Sequence, residues 1–254
     1  MSVFETLRVG GWRSGAGDPP VGHVGWPALL ARPVLGALVA VSATCALLLP
    51  AEMMVGDAVR DLDRDLAVDA HRFTASERVV HLAFQIVTFF GSTVWLTLMV
   101  GLTAVSWVRK RRTPAAALLL VTAIGSAVVC RTIKLVISRD RPSFVPALAD
   151  PYGSSFPSGH AMQSVAIYGV LLLIVAPRLA PRARWAVLAS AAGFVAAIAI
   201  SRVMLGVHYL SDITVGVALG LVWLAAVALL DPLLLEGVRG DATREGKAAG
   251  RRSA

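Results

Sequence analysis

Three short polar clusters stand at the ends of very apolar segments, and their residue types are suited to binding a phosphate group and transferring it to a histidine. In chain order they contain Lys134, Arg141 and Pro142, then Pro157, Ser158, Gly159 and His160, then Arg202, His208 and Asp212. Cationic side chains bind oxyanions through charge-assisted hydrogen bonds, and an imidazole supported by a carboxylate is a nucleophile. The rest of the chain reads as a membrane scaffold that brings the clusters together.

The first cluster supplies two positive charges. Lys134 and Arg141 are seven residues apart, which places them on one face if a helix continues through both, and Pro142 disfavours helix beyond them. A pair of basic residues reaching toward the head groups from the end of a span is the alternative interpretation. Lys134 lies inside a run with few competing charges, and an ionisable residue at such depth is a functional candidate. Arg131 and Arg139 add positive potential without an assigned role.

The second cluster predicts a helix start that binds an anion. Pro157 suits the first helical turn, the exposed N–H groups of a helix start attract anions, and Gly159 allows a phosphate oxygen to approach the backbone. The alternative is an ordinary helix start with Ser158 as its cap. His160, in the first turn, favours the functional interpretation because it could meet the leaving oxygen of a bound phosphoester.

The third cluster pairs a histidine with a carboxylate. His208 and Asp212 are four residues apart and can face each other on a helical turn. The carboxylate would fix the tautomer of the ring, which leaves the other nitrogen free to attack phosphorus. Arg202 would supply a two-pronged contact to phosphate oxygens. A histidine–aspartate pair that merely caps the last span is the alternative.

Metal binding is the competing chemistry for the same side chains. His160, His208 and Asp212 could act as ligands, but Lys134, Arg141 and Arg202 would repel a cation. The sequence therefore predicts an oxyanion site without a metal, and it gives no reason to expect a cofactor.

The composition is typical of a membrane protein. Of the 254 residues, 56% are hydrophobic and only 16% are charged, and the mean hydropathy is +0.70. The net charge of +8 comes from basic residues next to apolar runs, which is a topology signal and disfavours a nucleic-acid partner.

We predict an all-α, polytopic membrane bundle of about six transmembrane helices. The predicted spans lie near 33–55, 81–108, 115–137, 160–176, 185–205 and 213–230. The corresponding division of the chain is a cytoplasmic N-terminal tail at 1–30, a six-helix membrane domain at 31–235 and a basic cytoplasmic tail at 236–254.

The charged segment 56–80 could form a short interfacial helix, with Val59, Leu62 and Leu66 on one side. Gly91, Gly125 and Gly216 could support close helix packing, within one chain or between chains. The oligomeric state cannot be read from the sequence.

Basic residues also predict the orientation. The loops at 109–114 and 177–184 and both terminal segments are rich in arginine, which places these four regions in the cytoplasm. The three polar clusters then face the extracytoplasmic side of the cell membrane. Arg139 and Arg141 weaken this bias, and their place beside the proposed site is the competing explanation.

Together, Lys-x6-Arg-Pro, Pro-Ser-Gly-His and Ser-Arg-x5-His-x3-Asp resemble the three-part signature of the type 2 phosphatidic acid phosphatase superfamily, and every defining position matches. The resemblance covers most of 33–230, and it implies a core of six helices. It implies that Lys134, Arg141 and Arg202 bind phosphate oxygens, helped by the backbone amides of Ser158 and Gly159.

The same resemblance implies the catalytic roles. His208 would attack phosphorus and form a phosphohistidine, and Asp212 would orient it. His160 would protonate the leaving group and then activate water, and fixed cations would make a metal unnecessary.

The expected function is an integral membrane lipid phosphate phosphatase working at the outer leaflet. Polyprenyl diphosphate is the favoured substrate, and phosphatidic acid and phosphatidylglycerol phosphate are the other candidates. Three alternatives remain: a lipid phosphotransferase, a transporter or lipid-binding protein with a silent site, and the chemistry of the similar vanadate-dependent haloperoxidases, which are soluble.

Overall fold

The fold is helical throughout the part of the chain that the structure, a computed structural model, describes. That part comprises residues 36, 40–44, 47, 50, 56–143, 146–148, 153–176 and 179–229. Its complete helices are α1 (Asp57–Ser76), α2 (Arg78–Phe89), α3 (Thr93–Arg109), α4 (Thr113–Ile137), α5 (Gly159–Val175), α6 (Pro181–Met204) and α7 (Leu210–Leu229). The predicted all-α architecture is confirmed.

Several of these helices are long and apolar enough to cross a membrane. Among the described residues α4, α6 and α7 qualify singly, which agrees with three predicted spans, and α2 and α3 qualify only when taken together across a bend of 40°. The segment predicted as a span near 81–108 consists of two helices, α2 and α3, with a break at 90–92. Helix α5 is apolar but has only 17 residues. The predicted span near 33–55 and both predicted tails lie largely or wholly outside the described residues.

The break between α2 and α3 is held by specific contacts. Ser92 caps α3 by accepting a hydrogen bond from the Trp95 amide at 3.2 Å. The Tyr168 hydroxyl donates to the Phe90 carbonyl at 2.8 Å and accepts from Trp95 Nε1 at 3.0 Å. A Cβ on Gly91 would lie 2.4 Å from Ile198 Cγ2, so the break packs tightly against α6. The bend is thus part of the packed structure.

Helix α5 occupies the centre of the bundle and packs against α4, α6 and α7. The main apolar core is built from side chains of α3, α4, α5 and α7: Leu96, Val100, Ala115, Leu118, Leu119, Ile167, Val170, Ile174 and Val227. A Cβ on Gly216 of α7 would lie 2.7 Å from the carbonyl oxygen of Ser158, at the start of α5. A Cβ on Gly125 of α4 would lie against the ring of Trp223 in α7. The glycines therefore support close packing within this chain, as one of the two predicted alternatives had it.

The predicted helix within 56–80 is present as α1, but its buried side is unexpected. Asp63, Ala67 and Thr74 are buried, whereas Leu62 and Leu66 are 54% and 38% exposed. Helix α1 packs on α6 and α7 through this small and polar side. A buried aspartate is tolerated there because it has hydrogen-bonding partners.

Candidate active site

All three polar clusters meet at one end of the bundle, where α4 and α6 end and α5 and α7 begin. A cavity of about 570 Å³ opens there. Six of the eight predicted site residues line it: Lys134, Arg141, Gly159, His160, Arg202 and His208. The other two, Ser158 and Asp212, are fully buried behind its wall.

Lys134 and Arg141 converge, but not because they share a helix face. Helix α4 ends at Ile137, and Ser138 has a left-handed φ of 45°, so Arg141 lies in the following loop. Lys134 Nζ donates to the Ser154 carbonyl at 2.5 Å, and Arg141 Nη2 donates to the same oxygen at 3.4 Å. The helical reasoning was wrong, whereas the predicted proximity of the two cations is present.

Helix α5 begins at Gly159, so Pro157 precedes the cap and is not in the first turn. Ser158 is the N-cap residue, but its side chain makes no capping hydrogen bond. Its amide donates to the Asp212 carbonyl at 3.0 Å, which directs that N–H toward α7. Its hydroxyl oxygen is buried and has no hydrogen-bond partner among the described residues. The ordinary capping alternative therefore does not describe this side chain.

His208 and Asp212 form the predicted pair, although His208 precedes α7. His208 Nδ1 lies 3.3 Å from Asp212 Oδ2, and the same carboxylate oxygen accepts from the Tyr209 amide at 2.9 Å and from the Ser155 hydroxyl. Arg141 Nη1 lies 3.3 Å from the other ring nitrogen, Nε2. With Nδ1–H donating to Asp212, the lone pair is on Nε2.

The protonation of His208 follows from its burial. Desolvation lowers the pKa of His208 from 6.5 to about 4, although the hydrogen bond and charge of Asp212 oppose this shift. The ring is therefore neutral near pH 7, the form in which a histidine nitrogen can act as a nucleophile.

Arg139 and Asp63 form a network that the sequence analysis missed. Arg139 donates to Asp212 Oδ1 at 2.7 Å through Nη1 and to Asp63 Oδ2 at 2.9 Å through Nη2. Asp63 also accepts from the Ser211 amide at 2.9 Å and from the Ser211 hydroxyl at 2.5 Å. The guanidinium of Arg139 stacks 4.0 Å above the ring of Tyr209. Helix α1 is thereby fastened to the carboxylate that supports His208.

A weak signal for Asp63 exists in the sequence. Positions 59, 63, 67, 70 and 74 follow helical spacing and carry Val, Asp, Ala, Ala and Thr. Asp63 is the one acidic residue on this small-residue face, and such a face is suited to close packing. The exposed aspartates of the same helix lie elsewhere on its surface.

Arg202 is oriented by the bent span. It is buried, and Nη1 donates to Thr88 Oγ1 at 2.8 Å. Its Nε is buried without a hydrogen-bond partner in the part of the chain that is described. A guanidinium held on one side in this way keeps donors for an anion in the cavity.

Metal binding by His160, His208 and Asp212 is the alternative to an anion site. Within the described residues, no set of three or more His, Cys, Asp and Glu side chains is arranged to hold a metal ion. Two of the three candidate ligands have other partners, because Asp212 is paired with Arg139 and His208 contacts Arg141. The arrangement fits an anion better than a cation.

Comparison with known proteins agrees with this geometry. The model of the PAP2 superfamily matches residues 115–234, which include all three clusters. Phosphatidylglycerophosphatase B of Bacillus subtilis is 30% identical over 139 residues, covering 53% of this chain and 67% of that protein. Lipid A 1-phosphatase of Rhizobium etli is 30% identical over 171 residues, covering 58% of this chain and 70% of that protein.

Two solved structures share the fold. The crystal structure of a transmembrane PAP2-type phosphatidylglycerolphosphate phosphatase from Bacillus subtilis superposes with a TM-score of 0.69 at 24% identity, covering 79% of this chain and 96% of that one. Aquifex aeolicus LpxE gives a TM-score of 0.52 at 19% identity, covering 66% and 94%. Both likenesses concern the arrangement of the helices.

Proposed function

Because the chain belongs to the PAP2 superfamily, we propose that it is an integral membrane phosphatase that removes phosphate from a lipid phosphate or diphosphate through a phosphohistidine. The observation that carries the proposal is the state of His208. Its Nδ1 is paired with Asp212, its Nε2 lies 3.3 Å from Arg141 Nη1, and the residue lines a cavity together with cationic side chains. A neutral imidazole in that setting is poised to attack phosphorus.

The phosphate is bound by the cations around the cavity. Lys134, Arg141 and Arg202 all line it, and each now donates hydrogen bonds to carbonyl or hydroxyl oxygens. A phosphate oxygen carries more charge than a carbonyl oxygen and forms stronger, charge-assisted hydrogen bonds. Gly159, also in the wall, allows close approach to the start of α5.

Two displacements at phosphorus complete the reaction. His208 Nε2 forms a bond to phosphorus while the bond between phosphorus and the lipid oxygen breaks, and His160 gives that oxygen its proton. Water then attacks phosphorus, His160 takes a proton from the water, and the P–N bond breaks to release inorganic phosphate. Both histidines line the same cavity, as this sequence of steps requires.

Fixed positive charge stabilises the transferring phosphoryl group. Preorganised donors in a partly desolvated site cost little reorganisation and supply electrostatic stabilisation. Asp212 stabilises the positive charge that develops on the ring of His208. In this proposal the chain's own cations provide the charge neutralisation, and no metal is required.

The site is proposed to face the extracytoplasmic side. The basic loop from Arg109 to Arg112 joins α3 to α4, and the active site lies at the opposite end of α4. The positive-inside rule then supports cytoplasmic placement of that loop and of both termini. A lipid head group in the outer leaflet could enter the cavity while its tails remain in the bilayer.

The proposed test measures phosphate release from undecaprenyl diphosphate, phosphatidylglycerol phosphate and phosphatidic acid by the purified protein in detergent with EDTA. Wild type is expected to release phosphate from at least one lipid, and His208→Ala is expected to abolish release. An exposed-site control, Arg72→Gln, is expected to behave as wild type. Turnover by His208→Ala at the wild-type rate, or complete loss of activity in EDTA restored by a divalent metal, would contradict the proposal.

A further inference from the structure

The cavity extends beyond the three clusters along one side of α4. Its lining on that helix and its C-cap, from the deeper end to the catalytic end, consists of Ala127, Cys130, Arg131, Lys134, Leu135 and the cap residue Ser138. These positions are alternately three residues and one residue apart, so they form a single helical stripe. From Lys134 to Ala127 the stripe covers seven residues, or about 10 Å of helix axis. The cavity therefore continues well past the phosphate-binding cations toward the interior of the bilayer.

Two polar side chains stand in this deeper part and have no role in the reaction proposed above. Arg131 is one turn below Lys134, and Gln163 is one turn into α5 from Gly159; both line the cavity. Gln163 Nε2 lies 4.0 Å from the position of a Cβ on Gly159, which places it close to the start of α5. Neither side chain makes a hydrogen bond or ion pair with any residue that the structure describes.

An arginine at this position needs an explanation. Arg131 is six residues before the end of α4, about 9 Å along the helix axis. An arginine inside a span is costly, and it usually marks a substrate path. Its neighbour at i+3 is Lys134, and like charges at that spacing repel. The side chain is exposed on the surface of α4 and also lines the cavity, so it is accessible to a group bound there.

The charges of the catalytic end are sufficient for a single phosphate. Lys134, Arg141 and Arg202 supply three positive charges, whereas a phosphate monoester carries at most about two negative charges. Arg131 would add a fourth positive charge deeper in the cavity, on the side from which lipid tails extend. This excess is balanced if the substrate carries a second anionic group between the cleaved phosphate and its apolar tail.

We propose that Arg131 and Gln163 form a second phosphate subsite, which selects lipids with a phosphate between the terminal phosphate and the tail. The proposal rests on the phosphatase function proposed above and deepens it. A polyprenyl diphosphate and a lipid whose terminal phosphate is joined through a phosphodiester both carry such a group. Phosphatidic acid, with one phosphate attached to the acylglycerol, does not.

The test compares matched lipids that differ in the second phosphate. Farnesyl diphosphate is paired with farnesyl monophosphate, and phosphatidylglycerol phosphate is paired with phosphatidic acid of the same acyl chains. For Arg131→Gln we expect kcat/KM to decrease about 10- to 100-fold on a lipid with two phosphates, the size of a lost charge-assisted hydrogen bond. On the single-phosphate partner of each pair, the decrease is expected to stay within about twofold. Arg131→Lys is expected to recover part of the loss.

Arg78→Gln is the matched control, because Arg78 is exposed at the start of α2 and does not line the cavity. It is expected to leave all four kcat/KM values unchanged. A selective loss on farnesyl diphosphate alone supports a diphosphate substrate, and a selective loss on phosphatidylglycerol phosphate alone supports a diester-linked one. If Arg131→Gln lowers kcat/KM equally on one-phosphate and two-phosphate lipids, or does not lower it at all, the proposed subsite is refuted.

A second measurement separates this inference from the phosphatase function itself. If wild type hydrolyses none of the lipids, the proposed function fails. The subsite is then tested by comparing how much farnesyl diphosphate and farnesyl monophosphate each stabilise the protein against thermal unfolding. Greater stabilisation of wild type by the diphosphate, lost in Arg131→Gln, would support the subsite. Equal stabilisation of both proteins by both lipids would refute it.

Discussion

Asp63→Asn tests whether α1 positions the proposed catalytic pair, His208 and Asp212, from outside the cavity. The Asp63 side chain is 3% exposed and accepts hydrogen bonds from Arg139 and from two atoms of Ser211. Asparagine keeps the shape of the side chain and can still accept a hydrogen bond from the Ser211 amide, but it lacks the negative charge that faces Arg139. One lost charge-assisted hydrogen bond is worth about 1.5–3 kcal/mol. We therefore expect the free energy of unfolding to decrease by about 2 kcal/mol.

The same substitution should change kcat more than KM. Without the Asp63 carboxylate, the ion pair of Arg139 with Asp212 is expected to draw Asp212 away from His208. We expect kcat to decrease about tenfold, equivalent to about 1.4 kcal/mol of activation free energy, with KM unchanged because Asp63 does not line the cavity. Denaturant titration in detergent and steady-state phosphate release measure the two effects.

A double-mutant cycle of Asp63→Asn and Arg139→Gln isolates the coupling. Residues in one buried network are expected to show an interaction energy of about 1–3 kcal/mol. The control is Asp69→Asn in the exposed pair with Arg72, whose atoms are 3.7 Å apart and whose side chains are 73% and 76% exposed. That pair should contribute less than about 1 kcal/mol. Additive effects of the two buried substitutions, or an Asp63→Asn protein with wild-type kcat and stability, would refute the reasoning.

Three further predictions concern packing, orientation and protonation. Gly216→Ala places a Cβ 2.7 Å from a backbone oxygen at the start of α5 and should lower the free energy of unfolding by about 1–3 kcal/mol. The control Gly193→Ala, whose Cβ would have nothing within 4 Å, should not lower it, and thermal unfolding measures both. Thr88→Val removes the partner of Arg202, 2.8 Å away, and should raise KM about 3- to 10-fold in phosphate-release assays; an unchanged KM would contradict that orientation. His208 should titrate near pH 4 in NMR of ring-labelled protein, assigned by its loss in His208→Ala, and a midpoint near 6.5 would contradict the burial argument. Because the unfolded chain binds that proton near pH 6.5, stability should decrease as pH falls from about 6.5 to about 4.

The helical class and the meeting of the clusters could be predicted from the sequence, because long apolar runs and polar span ends have few other solutions in lipid. The local geometry could not. Ser138 adopts a left-handed conformation that ends α4 early, and no glycine or proline at that position indicates it. Arg141 consequently reaches the site from a loop and not from a helix face.

The long-range contacts of the site were also beyond sequence reasoning. Asp63 and Asp212 are far apart in the chain, and only the docking of α1 beside α7 brings both to Arg139. The bend between α2 and α3 depends on the hydrogen bonds of Tyr168, which likewise join distant segments. Periodicity along a single helix carries no information about such partners.

Trapping the covalent intermediate tests the central claim most directly. A rapid base quench of wild type after mixing with a phosphate-labelled substrate lipid should preserve the label on the protein, because a phosphohistidine is stable in base. Peptide mapping by mass spectrometry is predicted to find an acid-labile, base-stable phosphoryl group on His208. Label on another residue, or phosphate release by His208→Ala at the wild-type rate, would contradict the account.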